Sequence, residues 1–192
     1  TTAAGCAAAA PVTVVVNTRP ALVITSPSPV CEPATADITA AAVTAGSTAG
    51  LTYTYFTDAA TTNQPANPNA LNTSGTYYIK GSTVAGCYDI KPVTVLINPL
   101  PAVAITNPPA ECAPAAVNIT SAAVTNGSDN GLVFSYYSNP GATTVLANPN
   151  ALNTSGIYYI KGASSMGCYT VKPVTVTINA QPSVVITHPP VL

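Results

Sequence analysis

The sequence predicts an all-β protein: tandem β-sandwich domains strung end to end as a rod. Three observations carry this. First, the 192-residue chain repeats itself at an offset of 81 residues, so that residues 67–81 return as residues 148–162 with one change, Thr76 to Ile157. Self-similarity at a fixed period marks each copy as a structural unit and the array as the architecture. Second, helix signal is sparse, whereas short β-branched and alternating runs recur between clusters of Pro, Gly, Asn and Ser. Third, the joint between copies, Asn98-Pro99-Leu100-Pro101, is short and stiffened by proline, which leaves successive domains little freedom.

The elements of a copy follow in order. Residues 21–25 (Ala-Leu-Val-Ile-Thr) form a β-branched run stopped by Ser26-Pro27-Ser28-Pro29. Residues 37–44 read as strand despite their alanines, because Thr and Val flank them and Pro33 lies upstream. Residues 51–56 alternate as a half-buried strand does, and so do residues 132–137. Residues 63–69 are a Pro/Asn-rich loop with one weak strand. Residues 75–80 form a strand ending near Gly81. Residues 91–98 form the last, with Pro92 at its first position, where a missing N–H is tolerated. Six or seven short strands separated by turn signals is the pattern of a β-sandwich.

The register sets the domain boundaries. Gly5-Cys6 aligns with Gly86-Cys87 and Gly167-Cys168, so residues 1–19 read as the C-terminal fragment of a preceding repeat. Complete repeats occupy 20–100 and 101–181, and residues 182–192 read as the first strand of a following one. The expectation is a window on a longer, polymer-like chain. Orphan strands at 12–17 and 184–187 also suit strand donation between subunits, but covalent continuity is favoured because both ends keep the 81-residue register.

Charged residues are 6% of the chain, against roughly a quarter in ordinary soluble domains. With a net charge of −1 the chain offers no patch for nucleic acid or an anionic membrane surface, and no apolar run approaches the roughly 20 residues that insertion across a bilayer needs. A surface this poor in charge self-associates unless something manages it, by ordered assembly or a covalent hydrophilic coat. Each repeat holds two cysteines, Cys31 with Cys87 and Cys112 with Cys168, and Cys6 belongs to the preceding fragment. Two schemes satisfy the spacing: bridges within repeats, Cys31–Cys87 and Cys112–Cys168, or bridges between neighbours, Cys6–Cys31 and Cys87–Cys112. Either places the chain in an oxidising, extracellular compartment.

Catalytic chemistry finds no support. The single histidine, His188, lies in a proline-rich segment, the cysteines form no C-x-x-C cluster for zinc, and Asp58, Asp89 and Asp129 are too scattered for calcium. No cofactor is expected. Modification is the sharper expectation: N-x-S/T sequons stand at Asn72, Asn118, Asn126 and Asn153, and the abundant Thr and Ser suit O-linked glycan. Asn-Thr-Ser-Gly is also plain turn chemistry, and Asn118 aligns with Asp37, so that sequon is not shared between copies. An internal isopeptide bond from Lys80 or Lys161 to Asp37 or Asn118, with Glu32 or Glu111 nearby, is a further candidate; solvated charge at a strand end is its plain alternative.

Leu71-Asn72-Thr73-Ser74-Gly75-Thr76-Tyr77-Tyr78 resembles the Ser-Gly-x-Tyr-Tyr stretch at the strand E–F corner of immunoglobulin-like domains. Gly86-Cys87 ahead of a Val-Thr-Val strand, with a partner cysteine early in the repeat, resembles the bacterial Ig-like (PKD-like) tandem repeats of large secreted surface adhesins and extracellular filaments, Bacteroidetes type. The resemblance covers the whole repeat. It implies that Tyr77 and Tyr158 are tyrosine-corner residues whose hydroxyls bond back to the main chain. It favours the bridges within repeats, pinning one end of the sandwich. It also implies that, with no tryptophan present, Tyr53 or Tyr55 (Phe134 or Tyr136) takes the core position of the usual strand-C Trp.

The function expected from these readings is structural: an extracellular fibre or cell-surface stalk of tandem Ig-like repeats, glycosylated, with itself as its first partner. The alternative is an adhesin whose surface tyrosines, such as Tyr78, Tyr88, Tyr137 and Tyr169, bind carbohydrate or another surface.

Overall fold

The computed structural model describes Gly5 and residues 9–186. Cys6, Thr187 and His188 lie outside the described residues. The chain divides into two compact units, residues 1–97 and 98–192. Among the described residues the regular structure is strand, apart from one short 3-10 turn, Ala41–Thr44.

The first unit contains β1 (Val30–Cys31), β2 (Thr52–Phe56), β3 (Gly75–Ser82) and β4 (Tyr88–Val95), and ends within β5 (Ile97–Asn98). The second repeats them as β6 (Glu111–Cys112), β7 (Val133–Tyr137), β8 (Gly156–Ala163), β9 (Tyr169–Val176) and β10 (Ile178–Asn179). Each unit is built on an antiparallel three-stranded sheet, β2-β3-β4 or β7-β8-β9. Its register sets Tyr55 opposite Ile79 and Ile79 opposite Lys91, and in the second copy Tyr136 opposite Ile160 and Ile160 opposite Lys172. The short strands pair β1 with β5 and β6 with β10, the latter in parallel, with Asn179 opposite Cys112.

Period-two alternation along β3 sends Tyr77 and Ile79 inward and Tyr78 and Lys80 to the other face. The inward row, with Val93 and Val95 of β4, packs on Ile38, Val43 and Leu71, and Tyr53 and Tyr55 lean on the same cluster. Ile160, Val174 and Val176 repeat this against Ile119, Val124 and Leu152, with Phe134 and Tyr136 alongside. The aromatic pairs expected to replace a core tryptophan therefore lie against the cores.

The layer facing each sheet departs from expectation. Residues 21–25 and 37–44 were expected as strands, and neither is one. Ser47 and Thr48 side chains substitute for a backbone ladder on the first segment: the Val23 N–H donates to Ser47 Oγ (2.9 Å) and the Ala21 N–H to Thr48 Oγ1 (3.0 Å). Ser128 and Asp129 do the same for Ala104 and Ala102. In the second segment the Asp37 carboxylate accepts from the Thr39 N–H (2.7 Å) and hydroxyl (2.6 Å), the local competition that turns a chain out of a strand. Asn118 and Thr120 repeat it. Backbone pairing in this layer is reduced to isolated contacts, among them the bridges Ala36–Leu71 and Val117–Leu152 and the Thr25 N–H on the Val43 carbonyl, repeated by Thr106 on Val124.

Pro92 is not the first residue of its strand. It sits in the middle of β4 opposite Tyr78, as Pro173 sits opposite Tyr159. β4 is the edge of its sheet, and Thr94, two residues on, donates its N–H outward to Ser26 Oγ (3.0 Å). The proline nitrogen faces that same edge, so no ladder bond is lost. Residues 12–17 and 184–186, expected as orphan strands, are not in strands either, and their valines stand exposed.

Candidate functional site

The two cysteines of a unit lie at opposite ends of its sheet. Cys112 is in β6, opposite Asn179, beyond the C-terminal end of β9. Cys168 immediately precedes Tyr169, the first residue of β9, in the turn where the Ser164 N–H bonds the Cys168 carbonyl (2.8 Å). Eight residues of strand separate them, roughly 26 Å at about 3.3 Å per residue. A disulfide requires Cα atoms within about 7 Å. The first unit repeats this, with the Val30 N–H on the Leu96 carbonyl (3.1 Å) setting Cys31 at one end and the Thr83–Cys87 turn at the other. The expected bridges Cys31–Cys87 and Cys112–Cys168 are therefore not formed, and Cys87–Cys112 is not formed either. Cys31 and Cys168 are disulfide-bonded, and Cys87 and Cys112 are free thiols. Gly86 and Gly167, at φ of +84° and +83°, make the turn that presents the second cysteine, a conformation other residues adopt at a cost.

At the corner before β3 the Tyr77 hydroxyl donates to the Thr73 carbonyl at 3.0 Å, and Tyr158 to Thr154 at the same distance. The neighbouring Ser74 closes the corner onto β5 by accepting from the Ile97 N–H (2.8 Å) and donating to its carbonyl (3.0 Å), and Ser155 does this at Ile178. Sequence reasoning missed the serines, although they recur in register. Tyr77→Phe is expected to cost about 1 kcal/mol, since the ring stays and one bond is lost. Thermal unfolding of the variant beside the parent measures it.

The four sequon asparagines, Asn72, Asn118, Asn126 and Asn153, are all exposed. Asn118 accepts on its Oδ1 from the Thr120 N–H and hydroxyl. Lys80 and Lys161 lie over the rings of Tyr88 and Tyr169, at 4.2 and 3.8 Å from the ring centres, a cation–π pair that recurs between copies. Tyr88 and Tyr169 are half exposed, and with Tyr78 or Tyr159 they belong to strands whose outer faces carry aromatic residues and proline.

The aspartates have structural partners. Asp58 closes its loop by accepting from the Thr62 (3.1 Å) and Asn63 (2.7 Å) amides, which hold its carboxyl below the usual range; Asn139 does this work in the second copy. Asp129 accepts from the Ala102 N–H. Asp89 is nearly buried and pairs with Arg19, tying the incoming chain to β4, where Thr170 instead bonds the Pro101 carbonyl (2.7 Å). Burial pushes the Asp89 carboxyl up, but the Arg19 guanidinium and the Ile90 amide outweigh it and hold the pKa below the ordinary value. A carboxyl depressed on folding stabilises fully above its unfolded pKa and loses that contribution as pH falls through the folded one. Because Arg19 stays largely exposed, solvent screens the pair, so Arg19→Ala is expected to cost about 1 kcal/mol at neutral pH, and the difference from the parent should vanish once acid has protonated Asp89. Denaturant titrations at a series of pH values test this. Among the described residues no three His, Cys, Asp or Glu side chains gather closely enough to hold a metal, and no helix is long and apolar enough to cross a membrane.

No protein-family model matches the chain, and no curated protein matches it. Among solved structures it is similar to extracellular domains 3–5 of Drosophila OTK, with 15% identity and a TM-score of 0.34, covering 67% of this chain and 52% of that one. It is also similar to the titin z1z2 domains solved with telethonin (12%, TM-score 0.29, covering 86% and 100%) and to the insect immune protein hemolin (11%, TM-score 0.24, covering 84% and 54%). The chain spans about half the length of the first and the third of these.

Proposed function

We propose that this chain is a structural component of an extracellular fibre or cell-surface stalk, built from tandem Ig-like β-sandwich repeats of the bacterial PKD-like kind strung end to end as a rod, and coated with glycan. The observation that carries this reading is the repetition itself. Two copies keep the same sheet, core and corner, while the residues that differ between them are used locally and not for any clustered chemistry. Where the first copy has Asp58 and Asp37, the second has Asn139 and Asn118, which accept the same local bonds; where Asp89 accepts from Arg19, Thr170 instead donates to the Pro101 carbonyl of the incoming chain. A chain under selection for a site would not exchange ionisable groups so freely; one under selection for a repeated shape would. Charge this sparse calls for a coat or ordered packing, and the four exposed sequons with the many exposed Thr and Ser supply places for a coat.

A second reading, an adhesin whose repeats bind carbohydrate or another surface, is favoured by the outward tyrosines. Tyr88 and Tyr169 weigh against it in part, since each already carries a lysine ammonium over its ring. Peptide mapping of native material by mass spectrometry tests the main reading. Hexose-type mass ladders on Thr, Ser or Asn peptides are expected. Bare peptides together with saturable binding to a glycan would transfer the case to adhesion.

A further inference from the structure

From the unguarded outer edge of β2 we infer that the first unit pairs with a second copy of this chain, β2 to β2, antiparallel across a two-fold axis. The two copies of the repeat differ at this edge. In the second unit the Tyr136 carbonyl accepts from the Leu146 N–H (2.9 Å), Tyr137 bridges Val145, and Leu146 packs against the core. In the first unit Pro65 stands where the second has Leu146, and Gln64 where it has Val145. A proline has no N–H to give. Only the foot of the loop is kept, where the Thr57 N–H bonds the Asn63 carbonyl (2.9 Å) as Ser138 bonds Thr144 (3.0 Å). The Tyr136 carbonyl faces away from β8, so that of its equivalent Tyr55 faces away from β3, and Tyr53 follows at a period of two. Among the described residues nothing bonds the Tyr53 or Tyr55 main chain from that outer side.

The other sheet edges are guarded. Lys91 and Pro92 lie on the edge of β4 and Lys172 and Pro173 on that of β9, and the N–H groups of Thr94 and Thr175 are taken by Ser26 Oγ and Asn107 Oδ1. Charge, proline and cover are the devices that keep edge strands from pairing with other chains. β2, Thr-Tyr-Thr-Tyr-Phe, has none of them, and its alternation of β-branched and aromatic residues suits pairing. The occupant that fits is β2 itself. Turned antiparallel about Thr54, the strand sets Tyr53 opposite the second copy's Tyr55, Tyr55 opposite its Tyr53, and Thr54 opposite its Thr54. Each tyrosine pair exchanges two N–H···O=C bonds, which satisfies the outward groups of Tyr53 and Tyr55 in both copies. An uncharged strand does not repel its own copy, and facing threonines are a favourable pair. The contact is one short strand a side, far smaller than a permanent interface, so the pairing is reversible and concentration-dependent. This inference deepens the fibre reading by giving a charge-poor surface an ordered self-contact, and rests on that reading only for its setting.

The test is sedimentation of the full chain, its free thiols capped, over a range of concentrations. A monomer giving way to a dimer and nothing larger is expected, since a two-fold contact closes on itself. Gln64→Val with Pro65→Leu, which lends the first unit the cover of the second, should abolish the dimer. Thr54→Lys and Thr54→Glu should each abolish it by setting like charges face to face, and an equimolar mixture of the two should restore it. Amide exchange at Tyr53 and Tyr55 should slow as the dimer forms. A monomer at every concentration, a dimer that survives the loop exchange, or a charge mixture that stays monomeric would overturn the inference. So would Tyr53 and Tyr55 amides already protected in the monomer, which would mean that the chain's own residues cover the edge. Were a Thr54 variant unfolded, the loop exchange and the amide exchange decide. Filaments in native material beside any overturning result would leave the fibre reading standing without this contact. The expected dimer from a chain that forms no filament would do the reverse.

Discussion

Ile160→Ala should lower the stability of the second unit by about 2–5 kcal/mol, the usual cost of emptying a buried isoleucine site. Ile160 is wholly buried at the middle of β8, between Tyr136 and Lys172 in register and packed among Ile119, Val174 and Val176. Strand backbones fixed on both sides by ladder bonds cannot collapse into the space, which places the cost toward the upper part of that range. A unit of this size holds roughly 5–15 kcal/mol in total, so the variant's second unit should melt well below the first. Calorimetry of the full chain would then resolve two transitions, only one of them displaced. Ile157→Thr is the matched control: Ile157 is the single difference within the repeated 15-residue block, is exposed, and becomes what its counterpart Thr76 already is. Surface changes of that kind stay within about 0.5 kcal/mol. An equal loss from the two variants would contradict the assignment of inward and outward rows on β8.

Gly162→Ala is the second large effect, and its size should exceed that of Gly81→Ala. Both glycines lie where the first segment of a repeat crosses the sheet. A Cβ at Gly162 would stand 2.6 Å from Val103 Cγ2, 3.1 Å from Phe134 and 3.2 Å from Leu132. At Gly81 the nearest atoms are Leu51 at 3.0 Å and Leu22 at 3.2 Å, both ends of flexible leucine side chains. β-Branched Val103 has less room to turn away than Leu22. Overpacking of this kind costs about 1–3 kcal/mol. The expected order, Gly162→Ala beyond Gly81→Ala, is read from the two unfolding midpoints of the paired variants. The reverse order would mean that the segment carrying Val103 is held less firmly than the one carrying Leu22.

These residues also show how far the sequence alone reaches. Alternation in residues 51–56 and 132–137 marks β2 and β7 to within a residue, because a face buried on one side imposes its period on the side chains. The same logic fails at residues 21–25 and 37–44, where hydroxyl and carboxylate groups of Ser47, Thr48 and Asp37 take backbone donors that a ladder would have used. Apolar composition there records burial of Leu22, Ile38 and Val43 rather than strand. Pro92 misleads for a related reason: a proline ends a strand only if its nitrogen must donate, and on the outer edge of β4 it need not. Cysteine spacing carries no direction. Once the short pair at one end and the turn at the other are placed, the distance along β9 decides against closure within a repeat, and nothing in a count of cysteines anticipates that.

The central claim is that this chain belongs to a fibre, and direct imaging of native extracellular material by electron microscopy tests it most simply. With antibody raised against the purified chain, the account predicts continuous label along filaments or stalks, recurring at a fixed axial spacing. Label confined to soluble, dispersed particles, with filaments absent or unlabelled, would contradict it.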